Sequence, residues 1–145
     1  MPYVYIIPTG EFLYDNGVSW EPIARGYAGR GDCLNRPECV SQVGGGPIPP
    51  GRWKIGRPYD SKRVGKFALP LTPGEDTATH GRSAFRIHGD NRKLDNSASS
   101  GCIVLPRRVR ERVARGPDKE LIVQVALTYE GFLRSYGISV PKKDV

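Results

Sequence analysis

Two nearby stretches decide the fold. Ala84-Phe85-Arg86-Ile87-His88-Gly89-Asp90 alternates apolar with polar residues, and Ser99-Ser100-Gly101-Cys102-Ile103-Val104-Leu105 turns sharply and then becomes apolar. Strict alternation is the pattern of a half-buried strand, with Phe85 and Ile87 on one face and Arg86 and His88 on the other. The second stretch reads as a Ser-Ser-Gly turn feeding a buried strand. One histidine therefore stands at the end of a strand, and one cysteine at the tight turn that begins another. Strand ends and tight turns are where a scaffold presents reactive side chains.

The same patterns extend outward. Residues 3–7 and 11–14 predict a hairpin around Pro8-Thr9-Gly10. Trp20 to Tyr27 continues in extended, turn-broken form. Residues 28–51 form a long Gly/Pro/Cys segment, expected as an ordered loop lying over the sheet. Strands are predicted at 52–56, 67–71 and 120–125. Arg107 to Arg115 lies between Pro106 and Gly116-Pro117, which bracket a short helix. Val109 and Val113 are four apart and face inward, and its arginines are expected on the solvent face. The tail Pro141 to Val145 is expected to fray.

Composition agrees with this pattern. The chain has 145 residues, of which 18 are Gly and 13 Pro, which argues for a loop-rich β protein over a helix bundle. The length suits one domain, with a core over about 3–125 and a C-terminal extension over 126–145. No stretch approaches the roughly 18 apolar residues of a membrane span. The start, Met1-Pro2-Tyr3-Val4-Tyr5, lacks a charged region, a long apolar region and a cleavage site, so no secretory signal peptide is expected.

A net charge of +7 favours anionic partners: nucleic acid, anionic lipid or a carboxylate-rich wall polymer. Nucleic-acid binding calls for aromatic residues interleaved with basic ones, and these are absent. Cys33 and Cys39, six apart in a loop-like stretch, suit either a small disulfide or two free thiols. With only His80 and His88 as histidines, four good metal ligands are not in sight.

A thiol becomes a nucleophile as its thiolate, and a neighbouring imidazole can take the proton. Gly101 lets the backbone turn sharply before Cys102, and amides at such a turn can stabilise an oxyanion. Cys102 as nucleophile, His88 as base and a backbone oxyanion hole make a consistent acyl-transfer set. Residue types alone fit another account equally. A Cys before Ile-Val-Leu also suits a small buried hydrophobe, and a His after Phe-Arg-Ile a structural histidine.

The order His88-Gly89, then Ser99-Ser100-Gly101-Cys102-Ile103, resembles the signature of the L,D-transpeptidase catalytic domain. Gly26-Tyr27-Ala28-Gly29, Gly46-Pro47-Ile48-Pro49-Pro50-Gly51 and Gly81-Arg82-Ser83-Ala84-Phe85-Arg86-Ile87-His88-Gly89 resemble one branch of it, the peptidoglycan-targeting effectors of the type VI secretion system. The resemblance covers roughly residues 3–125. It implies a mostly β, sandwich-like fold with one or two short helices and long Gly/Pro-rich loops. It implies Cys102 as the acylated nucleophile, His88 as its base, and Gly101 and Ser100 in the catalytic turn. The substrate would be the peptidoglycan stem tetrapeptide, cut before its terminal D-alanine. Water as acceptor gives L,D-carboxypeptidase action, a D-amino acid gives exchange, and a second stem gives a cross-link.

Arg86 shares the face of His88 and is expected to meet a stem carboxylate, with a plain surface role as the alternative. Tyr27 and Ser99 are further expected substrate contacts. His80, in a turn-like stretch, is expected to be structural or solvated. The resemblance further implies an immunity protein, a secretion-machine carrier and action in the target periplasm. It implies no cofactor, no metal, no nucleic acid and no membrane insertion. Ser100 stands where the broad family has a histidine, and the spacer from Gly89 to Ala98 is shorter than usual, which leaves the group that orients His88 unassigned: Ser100, a backbone carbonyl or nothing. Two further readings stand beside this one: a wall-modifying L,D-transpeptidase of a bacterium or phage, and a basic module that binds wall glycan or nucleic acid without turnover.

Overall fold

The computed structural model describes residues 1–126; the C-terminal extension from 127 onward and the expected frayed tail lie outside the described residues. The predicted hairpin is present as β1 (Tyr3–Ile6) and β2 (Glu11–Asp15), paired antiparallel with Tyr3 opposite Tyr14. Then come β3 (Trp20–Arg25) and the short β4 (Tyr27–Ala28). The long Gly/Pro/Cys segment is ordered, with 3-10 turns at Gly31–Cys33 and Pro37–Cys39. It packs inward as well as across, since Ile48 is fully buried in the core.

Strand β5 (Gly51–Ile55) follows, then β6 (Tyr59–Ser61) and the long β7 (Gly65–Pro73). The β6 strand has no counterpart in the sequence reading, because Tyr59 to Ser61 is exposed to half-buried and carries no apolar alternation. Strand β8 covers Arg86–His88 and β9 covers Ile103–Val104. The β8 strand starts two residues later than the alternation suggests because Ala84 takes a φ of 63°. Helix α1 (Arg107–Arg115) falls between Pro106 and Gly116 as expected, and β10 (Glu120–Gln124) closes the described chain.

The strands join in one mixed sheet of ten, ordered β3-β2-β1-β10-β5-β7-β8-β9-β4, with β6 on β7. Two pairings are parallel, β1 with β10 and β8 with β9. Strand β7 serves both halves. Its end, Leu71 to Pro73, pairs with β5, while Leu69 and Pro70 pair with β8. Side chains of both halves meet in one core. Tyr3, Tyr5, Phe12, Trp53 and Leu121 come from the first half, and Leu69, Ile87 and Ile103 from the second. Val109 and Val113 of α1 reach the same core, as their spacing requires.

One expectation for α1 is corrected. Arg110 does not lie on the solvent face; it is buried. Its Nε donates to the Leu105 carbonyl at 3.1 Å, and its Nη1 to the carbonyls of Lys66 at 2.9 Å and Phe67 at 2.8 Å. A guanidinium can go inside when backbone oxygens replace its water.

Candidate active site

The parallel ladder of β8 and β9 sets Ile87 opposite Ile103 and His88 opposite Val104. The Leu105 amide donates to the His88 carbonyl at 3.0 Å and fixes this register. Cys102, one residue before β9, therefore lies beside Arg86. Its thiol is 3.7 Å from the Ala84 carbonyl.

The turn before Cys102 is built by Ser99, which is fully buried. The Ser99 hydroxyl donates to the Cys102 carbonyl at 2.6 Å and accepts from the amides of Gly101 and Gly29, each at 3.0 Å. Gly101 has a φ of 143°, in the region that favours glycine, and an added Cβ would collide with the Arg82 guanidinium.

His88 is 2% exposed, and its Nδ1 lies 2.8 Å from the Gly89 carbonyl. A carbonyl only accepts, so this contact assigns the proton to Nδ1 and leaves the Nε2 lone pair as the basic one. Burial holds the His88 pKa below its ordinary value of 6.5; Arg86 and Arg110 push the same way, while the Gly89 bond and Asp90 oppose. Burial raises the Cys102 thiol, against the Arg86 amide and the charges of Arg86, Arg82 and Arg63. Both groups are thus held neutral at rest. Among the described residues, no hydrogen bond joins the two side chains. They wall one cavity of about 380 Å³ together with Arg63, Arg82 and Arg86.

Arg82 holds this cavity together. Its Nη1 donates to the carbonyls of Val40 at 2.7 Å and Pro47 at 2.9 Å, and its Nη2 to those of Gly46 at 2.7 Å and Ser100 at 3.2 Å. The guanidinium carbon lies 4.9 Å over the Phe85 ring. One side chain so joins the 40–47 loop, the Cys102 turn and the edge of β8. A disulfide between Cys33 and Cys39 closes the base of the same loop, and Cys102 remains free. The sequence reading gave Arg82 no role, because arginine type says nothing about which carbonyls it meets 18 to 42 residues away.

The residues expected at the site divide between two cavities. Cys102, His88, Gly101, Ser100 and Arg86 line the first. Ser99 lines neither wall, since its hydroxyl is spent within the turn. Tyr27 lines a second cavity; its hydroxyl donates to Asp90 Oδ1 at 2.7 Å and accepts from the Ala98 amide at 3.0 Å. These bonds tie together the two ends of the 90–98 loop between the histidine and the cysteine turn. His80 is exposed, with a φ of 56°.

The family model of the Tlde1 domain matches residues 23–126, well over half of the chain and inclusive of the disulfide, His88 and Cys102. No curated protein and no solved structure matched the chain.

Proposed function

Because the chain belongs to the Tlde1 domain family, a family of peptidoglycan-targeting type VI secretion effector domains, we propose that it is a cysteine acyl-transfer enzyme that trims or exchanges the terminal D-alanine of peptidoglycan stem tetrapeptides. One observation carries this reading: the Cys102 thiol and the His88 imidazole wall the same arginine-lined cavity, with the ring already oriented by the Gly89 carbonyl. The group that orients the base is then a backbone carbonyl rather than Ser100.

The chemistry follows from the neutral pair. His88 Nε2 takes the Cys102 proton as the sulfur attacks the carbonyl of the diamino acid's L-centre. The resulting oxyanion takes the Cys102 amide, which no group among the described residues accepts from. The imidazolium then returns its proton to the leaving D-alanine amine, and the peptide remains as a thioester on Cys102. Water or a D-amino acid, deprotonated by His88, attacks the thioester and restores the thiol. Water yields the tripeptide, and a D-amino acid yields an exchanged tetrapeptide. Arg63 and Arg86 supply positive charge for the D-alanine carboxylate.

The proposed place of action is the target periplasm, reached through the secretion machine and countered by an immunity protein. The Cys33–Cys39 disulfide supports an oxidising site of action. The test is mass spectrometry of purified tetrapeptide muropeptides incubated with wild type or Cys102→Ala, with and without added D-amino acid. Loss or exchange of the terminal D-alanine by wild type alone is expected. Equal products from both proteins would refute the nucleophile.

A further inference from the structure

Gly89, the residue after His88, lines the second cavity, of about 660 Å³, which the thiol does not reach. Its charged lining is Arg25, Arg107 and Arg110, with Asp90 as the single carboxylate. The Asp90 carboxylate is engaged by the Tyr27 hydroxyl at 2.7 Å and the Asn91 amide at 2.9 Å.

Arg110 is the unusual member. It is 6% exposed, and its Nε and Nη1 are consumed by three carbonyls. Its Nη2 has no acceptor among the described residues, and no carboxylate there pairs with it. The atom lies at the cavity wall, since a Cβ on Gly89 would come within 2.7 Å of it. Nη2 opens to the cavity rather than being sealed in the core, so an anion entering from solvent meets a free donor and a charge that no carboxylate among the described residues pairs with.

The start of α1 adds to this. Pro106 is its N-cap, with no side-chain cap and no acidic residue in the first turn. The amides of Val109 and Arg110 both return to the Pro106 carbonyl, so those of Arg107 and Arg108 remain uncommitted among the described residues. Pro106 and Arg107 line the same cavity, so the positive end of the helix dipole and the free Nη2 converge there. Arg107 is partly engaged by Glu111 at 3.0 Å, while Arg25 is exposed at the rim.

We propose that this cavity is a carboxylate-binding subsite, in which Arg110 Nη2 and the first amides of α1 hold the carboxylate and Arg25 closes over it. The charged Nη2 and the two helix amides offer donors suited to a carboxylate of a peptide end or an acidic side chain. That its natural source is the peptidoglycan stem rests on the proposed function; the subsite itself does not. A peptide arm anchored there lies next to Gly89, and so beside the catalytic histidine.

The test uses Cys102→Ala protein, which cannot turn over, titrated with N-acetyl-D-glutamate and followed by nuclear magnetic resonance. Saturable shifts are expected at the Arg110 side chain and at the amides of Gly89, Arg107 and Arg108, with no response to the corresponding diamide. Arg110→Lys is expected to weaken binding about tenfold, and Arg25→Gln about threefold. Arg110 also holds three carbonyls, so the exposed Arg25→Gln gives a readout independent of folding. Shifts centred on Arg86 and Ala84 instead, an equal response to the diamide or to inorganic phosphate, or affinity indifferent to Arg25→Gln would overturn the proposal. The probe has no scissile bond, so failure of the acyl-transfer reading leaves this result untouched.

Discussion

The Ser99 hydroxyl donates to the carbonyl of Cys102 at 2.6 Å while accepting from the amides of Gly29, 70 residues away in sequence, and Gly101. The thiol's position is therefore set by a serine that never reaches the cavity. Ser99→Ala removes all three bonds and leaves two buried amides without acceptors. We expect a loss of about 2–4 kcal/mol in urea unfolding. Turnover should also fall in the protein that remains folded, because the Gly101–Cys102 peptide loses its anchor. An unfolding midpoint within error of wild type would contradict this account.

Arg82 and the disulfide act on one loop. Arg82 takes the carbonyls of Val40, Gly46 and Pro47, and Cys39 next to Val40 is tied to Cys33. In the chain-entropy picture a loop this short contributes about 2 kcal/mol. Replacing both cysteines by serine should lower stability by about that amount. It should also lower kcat/KM on muropeptides, because the freed loop relaxes the clamp beside the thiol. Unchanged kcat/KM in the double variant would separate the disulfide from the site.

The positions of the histidine and cysteine were legible because each lies in a local pattern. Phe85 and Ile87 alternate with Arg86 and His88, and an apolar run follows Cys102. Helix α1 was legible from Pro106 and Gly116-Pro117. What escaped reading is what depends on distant backbone. The contacts of Arg82 reach 42 residues back. Arg110 looks like any arginine of a charged helix, yet turns inward because Lys66, Phe67 and Leu105 offer carbonyls there. The parallel partnering of β8 with β9 brings His88 and Cys102 to one cavity, and no local alternation encodes strand order.

Gly101→Ala tests how closely the clamp approaches the turn. The glycine has a φ of 143°, and a Cβ there would press on the Arg82 guanidinium and approach the Gly46 carbonyl to 3.0 Å. The backbone strain alone is of order 1–3 kcal/mol. We expect slower labelling of Cys102 by an electrophilic probe together with lower stability. In a double-mutant cycle Gly101→Ala should cost less stability in an Arg82→Gln background than in wild type, because the colliding group is shortened; Arg82→Gln carries its own cost from the carbonyl bonds it loses. An equal cost in both backgrounds would place the strain in the backbone alone.

The resting pair also predicts two pH dependences. Cys102 is held as a thiol by burial, so its alkylation in free enzyme should accelerate into the alkaline range rather than plateau in acid, as a preformed ion pair would. His88 is depressed below 6.5 in the folded protein, chiefly by burial. As pH falls below 6.5, the unfolded imidazole takes a proton before the folded one does. The unfolded state then binds more protons, and stability falls with pH. The contribution is fully present above the unfolded pKa and is lost as pH drops through the folded one. His88→Gln removes that titration, so its unfolding free energy should decline less steeply between neutral pH and the acid range than that of wild type. Identical slopes for the two proteins would show that the buried imidazole is not held neutral by the fold.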